Sequence, residues 1–467
     1  MSHIGSESNP LRVAIVGAGP AGFYTAEHLF KNRDLVIEID MYDRLPTPFG
    51  LVRAGVAPDH QKIKSVTRVF TKTAENPRFR FFGNVEFGKH LKLADMQAHY
   101  HAIVFTTGAQ TDRRLNIPGI DLKNSHAATE FVAWYNGHPD YRHLEFDLTQ
   151  ERVAVIGVGN VAVDVARILC RTPEELAQTD IADYALEALR HSRVKEVYML
   201  GRRGPAQAAF TPPEVKELGE LADADVYVPP EEAKLDPLSE ASLADSADRG
   251  TMRKVEIVQS FAGRQPTGKS RRLVLRFLVS PVALIGDENG RVRAMRLVKN
   301  ELYATEAGTL RPRPTDQYET LDVGLVFRSI GYRGVPLPDV PFNDQWGVIL
   351  NEKGRVLDPE TQQPIPGLYT AGWIKRGPSG VIGTNKPDAL ETVECLLADV
   401  KNGRLLTPAN PDAGAILQLV QTRQPYYCTF ADWQRLDEME IRRGQEIGRP
   451  RLKFTSVEEM LKALGKM

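Results

Sequence analysis

Two stretches of the chain repeat one pattern. A short unbroken run of apolar residues leads into a glycine-rich turn, and apolar positions then recur about every 3.6 residues. In the first copy Val13, Ala14, Ile15 and Val16 precede Gly17, Gly19 and Gly22, followed by Phe23, Tyr24, Ala26, Leu29 and Phe30. An apolar run of this kind suits a parallel strand covered on both faces, and the later spacing is that of an amphipathic helix. A second strand, over residues 36–42, ends at Asp43. In the second copy residues 153–156 form the strand and Gly157, Gly159 and Ala162 the turn, with a helix running to about Leu169. A charged, helical insertion over 173–192 follows, and the next strand, 194–200, ends in Gly201-Arg202-Arg203-Gly204.

The rest of the chain reads less regularly. Pro46, Pro48, Gly50, Gly55 and Pro58 predict a long irregular loop. A helix is expected over 61–74 and strands over 79–87 and 101–107, and a connection over 112–118 marks a crossing between domains. Residues 229–250 make a poor core, whereas 255–285 and 292–302 alternate like antiparallel strands. Further buried strands fall at 324–331, leading back to the first domain, and at 367–373. Glycines 377, 380 and 383 then feed a helix over 387–400. Two helices are expected after residue 408, and the basic run 442–453 reads as a solvated face.

The two turns carry specific chemistry. The G-x-G-x-x-G spacing gives a tight exit from the strand, a bare backbone for a pyrophosphate and close helix–strand packing. The helix start offers free N–H groups to phosphate. Asp43 follows Gly22 by about the 20 residues expected of a ribose-binding acid. The alternative is a purely structural glycine turn, but strand, helix and acid together favour a dinucleotide. The second turn has two arginines in place of an acid, a choice that suits the 2′-phosphate of NADP; otherwise they are a solvated pair.

Composition narrows the class. With 467 residues, 42% hydrophobic and 25% charged, the chain is a folded protein of two or three domains. A net charge of −1 gives no reason to expect nucleic acid. No apolar run suits a membrane helix, and the N-terminus resembles neither a signal nor a transit peptide. The three cysteines, Cys170, Cys395 and Cys428, are far apart, which argues against a local dithiol and a metal cluster of usual spacing. A cytoplasmic monomer without a metal is the expected form.

With both turns, Arg202-Arg203, LVRAGVAPDH, RFRFFGNV, GRRGPAQAAFT and GWIKRGPSGVIGTNK considered together, the chain resembles the adrenodoxin-reductase family over nearly its whole length, most closely the bacterial ferredoxin–NADP reductases of the mycobacterial type. The resemblance implies an α/β fold with two Rossmann-like dinucleotide-binding domains. The FAD domain is split, residues 1–113 and 332–467 with the C-terminal helices, around an NADP domain at 114–331. It implies FAD contacts by Gly17, Gly19, Ala21, Gly22, Asp43, Leu51, Val85, Trp373, Gly380, Val381 and Ile382. NADP contacts fall to Val158, Gly159, Asn160, Val161, Arg202, Arg203, Glu214 and Gly380. His60 and Glu214 are the ionisable pair expected near the flavin, as a proton path; His60 could equally be a loop histidine capping backbone groups. Pro212-Pro213 departs from the family and is expected to shift the helix that presents Glu214. Trp373 either covers the nicotinamide pocket or is plain core. The implied reaction passes a hydride from NADPH to FAD and then single electrons to a ferredoxin, and Lys375-Arg376 is the favoured docking run over 264–272 and 442–453. A flavin disulfide reductase, a non-catalytic NADP sensor and the input module of a glutamate-synthase-like complex are the rival readings. The first lacks a dithiol, the second does not explain the intact turn, and the third lacks cluster cysteines.

Overall fold

The structure is a computed structural model describing residues 3–246 and 248–467. Its largest sheet has seven strands, and both ends of the chain contribute to it. In spatial order they are Asn351–Glu352, Arg355–Leu357, Pro364–Thr370, Ala102–Phe105, Leu11–Val16, Ile37–Tyr42 and Phe79–Phe82. From Pro364–Thr370 onward the pairing is parallel. Leu11–Val16 is buried along its whole length, as a strand covered on both faces must be.

A second, six-stranded sheet orders Ser125–Ala127, Leu325–Arg328, Arg152–Ile156, Glu196–Leu200, Arg271–Arg276 and Ala224–Tyr227, all parallel. A three-stranded antiparallel sheet, Val279–Gly286, Val292–Ala304 and Leu310–Asp322, packs against it through Met295, Leu297 and Val326. The chain passes between the two large sheets twice. The two passages lie side by side, because Thr111–Asp112 pairs antiparallel with Tyr332–Arg333.

Several expectations are corrected. Residues 249–262 form a helix, not a strand. Val255, Val258 and Phe261 recur on one buried helical face, and Asp248 caps its start through the Gly250 and Thr251 amides. Arg271–Arg276 is a parallel strand, so antiparallel structure begins only at Val279. The proline-rich loop contains the short helix Leu51–Ala54. Three helices, not two, follow residue 408: Ala413–Arg423, Phe430–Gln445 and Val457–Ala463.

The basic run 442–453 is not a solvated face. Arg449 and Lys453 are buried. Arg449 Nε donates to the Thr179 carbonyl at 2.9 Å, and Lys453 Nζ donates to the Arg53 and Asn136 carbonyls at 3.0 and 3.1 Å. Arg451 pairs with Asp437 at 2.6 Å and with buried Glu440 at 3.0 Å. The partners that make burial tolerable lie mostly far away in sequence, where a local reading finds only charge.

Candidate active site

The first glycine turn separates two uses of glycine. Gly17 has φ +112°, and a Cβ there would collide with the Thr106 backbone. A Cβ on Gly22 would run into the Gly17 carbonyl. The fold itself demands both. Gly19 has an ordinary φ of −87°, and a Cβ placed on it would meet no protein atom closer than 3.9 Å. Its missing side chain therefore serves whatever lies before the helix Pro20–Lys31. That helix start has no side-chain cap and no acid in its first turn, leaving its N–H groups and positive dipole end to an anion. Asp43 accepts from the Ala18 amide at 3.0 Å and the Leu45 amide at 2.9 Å. Each carboxylate oxygen keeps a lone pair for a hydroxyl. These residues fit the pyrophosphate and ribose of FAD.

Other first-domain candidates surround the same turn. Gly50, with φ +51°, brings its backbone against Gly19, and Leu51 opens the short helix that follows. Ala21 is buried, in reach of Gly372, where a Cβ would strike its methyl. The Val85 amide donates to the Asp43 carbonyl at 2.9 Å. Phe49 is held at φ +85°, a strained conformation for a bulky residue. Its ring is buried near Phe23, Phe70 and Trp433.

The second turn repeats the geometry with opposite charge. Gly157 has φ +135° and abuts the Ser329 carbonyl, whereas Gly159, at φ −104°, could carry a Cβ with no protein atom closer than 3.9 Å. The helix Asn160–Cys170 again starts without a side-chain cap or first-turn acid. The Val158 carbonyl accepts from the Ala209 and Phe210 amides at 2.9 and 3.0 Å, and Asn160 Oδ1 accepts from the Thr211 amide at 2.9 Å. Val161 is half-buried in the first turn of that helix. Arg202 is exposed and Arg203 half-buried, and neither has a carboxylate partner among the described residues. Burial and then the Arg202 charge lower the proton affinity of Arg203. Two adjacent uncompensated guanidiniums fit a dianionic phosphate.

Between the two sheets lies a charged cluster that the sequence reveals only in part. His60 and Glu214 do come together, but the hydrogen-bond partner of His60 is Glu217, with Nε2 2.9 Å from Oε2. His60, Glu214 and Glu217 each place one polar atom within 4.8 Å of the others. Arg167 touches both His60 and Glu217 and supplies the positive charge a metal ion would bring. Burial opposes the charge on His60, and so does Arg167, but the bond to Glu217 with the carboxylates of Asp164 and Asp59 outweighs both and raises its affinity for a proton. Glu214 is pushed up to about 7 by burial and by Asp164 and Glu217, against the pull of His60 and Arg167. Its Oε2 is buried without a partner. Pro212 and Pro213 occupy the first turn of Pro212–Glu217, where a missing N–H costs nothing. Glu217 lies three residues after Glu214 on that helix, the one local signal that could have found it.

The third glycine-rich loop follows Pro364–Thr370. Trp373 is half-buried, its Nε1 donating to the Ser379 carbonyl at 3.1 Å and its ring 5.4 Å from that of Tyr332. Gly380 has φ +79°, Val381 is exposed and Ile382 opens a single tight turn before the helix Asn385–Lys401. Lys375-Arg376 cannot serve as the docking run. Lys375 is buried and bonded to Asp388 and Glu391 at 3.2 and 2.7 Å, and Arg376 pairs with Asp388 at 3.3 Å. Their charge is spent on carboxylates of the helix Asn385–Lys401.

The chain is 45% identical over 461 residues to "NADPH-ferredoxin reductase FprA" of Mycobacterium tuberculosis, covering 97% of this chain and 99% of the relative. It is 42% identical over 476 residues to the human "NADPH:adrenodoxin oxidoreductase, mitochondrial", covering 99% and 94%. The chain belongs to the adrenodoxin-reductase family. Residues 11–204 also match the family described as "Pyridine nucleotide-disulphide oxidoreductase". A solved family member, Mycobacterium tuberculosis FprA in complex with NADPH, superposes with a TM-score of 0.92 at 45% identity, covering 98% of this chain and all of that one. Among the described residues no helix is long and apolar enough to cross a membrane.

Proposed function

We propose that this protein is an FAD-containing ferredoxin–NADP reductase, binding FAD at the turn Gly17–Gly22 with Asp43 and NADPH at the turn beginning at Gly157 with Arg202 and Arg203. The observation that carries the reading is the pair of matched turns, each with one glycine the fold does not need, ending in opposite charges. Full-length similarity to reductases of ferredoxin and adrenodoxin supports it.

When bound, NADPH would supply the hydride, and FAD would accept it and release its electrons singly to an iron–sulfur partner. The chain's own residues bind, orient and handle protons. Gly19 and Gly159 admit the pyrophosphates to the helix starts. Asp43 takes the FAD ribose hydroxyls, with Ala21, Leu51, Val85, Trp373 and residues 380–382 completing that cradle. Val158, Asn160 and Val161 line the NADP pyrophosphate, and Arg202 and Arg203 select the 2′-phosphate. Glu214 and Gly380 lie on the nicotinamide side, where a neutral Glu214 can donate a hydrogen bond near pH 7. His60 is the proton-holding group of the cleft. The division into an FAD domain of residues 1–113 and 332–467 around an NADP domain of 114–331 belongs to the same proposal and follows the paired crossings.

Disulfide exchange gains no support. Cys170 and Cys428 are buried, Cys395 is half-buried, and burial raises all three thiols above their ordinary range.

The test is anaerobic stopped-flow mixing of the purified protein with NADPH, then with a ferredoxin. A yellow protein with one FAD per chain, bleached by NADPH and reoxidised by ferredoxin, is expected. Absence of flavin, or electrons passing to disulfides and not to ferredoxin, rejects the proposal.

A further inference from the structure

Among the described residues Arg167 is the largest fully buried side chain, wholly inaccessible. It lies on Asn160–Cys170, the helix of the second turn, and reaches the loop that precedes Gln61–Lys64 beside the first sheet. Its NH1 is bonded to Asp59. Its NH2 donates to Asp164 Oδ1 at 2.8 Å and faces His60 Nε2 at 2.9 Å. Its Nε stands 3.2 Å from Glu217 Oε2, in ion-pair contact but not at a hydrogen-bonding angle.

His60 Nε2 is thus 2.9 Å from two groups with opposite needs. To bond Glu217 it must carry a hydrogen, and to accept from Arg167 it must offer a lone pair. One nitrogen cannot do both. We propose that Arg167 is a positioning residue for His60: it stands where the departing proton leaves a lone pair, so that the His60–Glu217 pair has two satisfied states. In one, the Nε2 hydrogen is donated to Glu217. In the other, that proton has left for solvent past the Glu217 carboxylate, leaving a neutral imidazole, and the NH2 of Arg167 bonds Nε2 while its Nε stays in ion-pair contact with Glu217. The imidazolium answers the Glu217 carboxylate in the first state, and the Arg167 guanidinium answers it in the second. Glu217 is one-third exposed and His60 only 11%, so the proton moves toward solvent.

The groups facing His60 are Asp59 on its own loop, Asp164 and Arg167 on the helix of the second turn, and Glu214 and Glu217 on Pro212–Glu217; Arg171 also stands in ion-pair contact with Asp59, at 2.7 Å. Arg167 is the one cation among those touching the ring. Removing it leaves the carboxylates to hold the imidazolium, so His60 should keep its proton to higher pH.

This inference rests on the cleft being the hydride-transfer site, and its test separates the two. The titration midpoint of His60 is followed by the NMR signal of its Cε1–H in the intact flavoprotein, in wild type, Arg167→Gln and Arg167→Lys, with NADPH reduction followed across the same pH range. A midpoint raised by more than about one pH unit in Arg167→Gln is expected. A smaller rise is expected in Arg167→Lys, whose ammonium keeps the charge but lacks the fork that meets both His60 and Glu217. The His60-linked limb of the reduction profile should move with it. An unmoved midpoint, even with a lowered melting temperature, overturns the inference and makes Arg167 merely structural. Should the glutamine variant fail to fold, the lysine variant decides by the same criterion. Failure to carry FAD or to react with NADPH rejects the proposed function, while the His60 midpoint still decides the role of Arg167.

Discussion

The two glycine turns share one backbone and differ in what ends the following strand. After the first, Asp43 is tied by two backbone amides and half-buried. After the second, Arg202 and Arg203 have no carboxylate partner among the described residues. A carboxylate that only has to accept from hydroxyls can be locked in place by the fold. Guanidiniums kept for a phosphate must stay unneutralised until the ligand arrives. The third turn position differs as well. Gly22 is required by contact with Gly17, whereas the second turn accommodates Ala162, fully buried, at the equivalent place. The first helix therefore sits closer to its turn than the second.

The widest separation expected between the turns is in stability. Gly22→Ala forces a methyl into the Gly17 carbonyl and should cost about 3 kcal/mol. Ala162→Gly should cost about 1 kcal/mol, the ordinary penalty of glycine in a helix. Urea unfolding of both variants measures the contrast, and equal costs would mean that the two turns pack alike.

Gly19→Val and Gly159→Val should both fold, because neither site is crowded, yet lose different ligands. The first should emerge colourless. The second should keep its flavin but bind NADPH roughly a hundredfold more weakly, about 2.7 kcal/mol. Flavin absorbance per chain and NADPH titration read the two outcomes. Loss of both ligands in both variants would dissolve the assignment of one cofactor to each turn.

Arg202→Ala and Arg203→Ala should each weaken NADPH binding about ten- to a hundredfold, from charged hydrogen bonds worth about 1.5–3 kcal/mol. NADH binding should change little. A parallel loss with both nucleotides would make the arginines structural.

The smallest expected effect is on pH dependence, and it belongs to the second region. Glu214 lies near 7 in the fold against an ordinary 4.5, so the folded protein keeps a proton that the unfolded chain releases. Stability should therefore fall as pH rises from about 4.5 to about 7 and then level off. Glu214→Gln removes that loss, gaining about 1–2 kcal/mol over wild type at about pH 8 after allowance for solvent screening, and nothing at about pH 4. Thermal melts across this range check it; a gain that is independent of pH would trace to packing.

Much of this is legible in the chain. Strands next to glycine turns can be found because apolar runs and φ-demanding glycines leave local marks. The helix Arg249–Ala262 escapes a local reading because valine and isoleucine also favour strands, and only packing against the second sheet arbitrates. Lys375-Arg376 reads as a docking run because two adjacent cations carry no sign of Asp388 and Glu391, which fold back over them. His60 and Glu214 are reached through the family resemblance; Glu217 has only its spacing from Glu214 to mark it, and Arg167 has no local mark. A glutamate on a charged helix and an arginine amid apolar residues look ordinary until the fold places them against one histidine.

The sequence by itself determined the two glycine turns and the sign of the charge after each, since each depends on contacts within about 30 residues or on a repeated pattern. Only the tertiary structure decided which cations are neutralised and which remain free. It also showed that Gly19 and Gly159 are glycines the protein's own packing does not need, and that His60 faces both an acceptor and a donor. Those properties depend on distances between residues such as His60, Arg167 and Glu217, which the chain separates widely and the fold brings into hydrogen-bonding contact around one ring nitrogen. Coulombic and hydrogen-bond energies depend on that distance and on burial, and neither is written in local order.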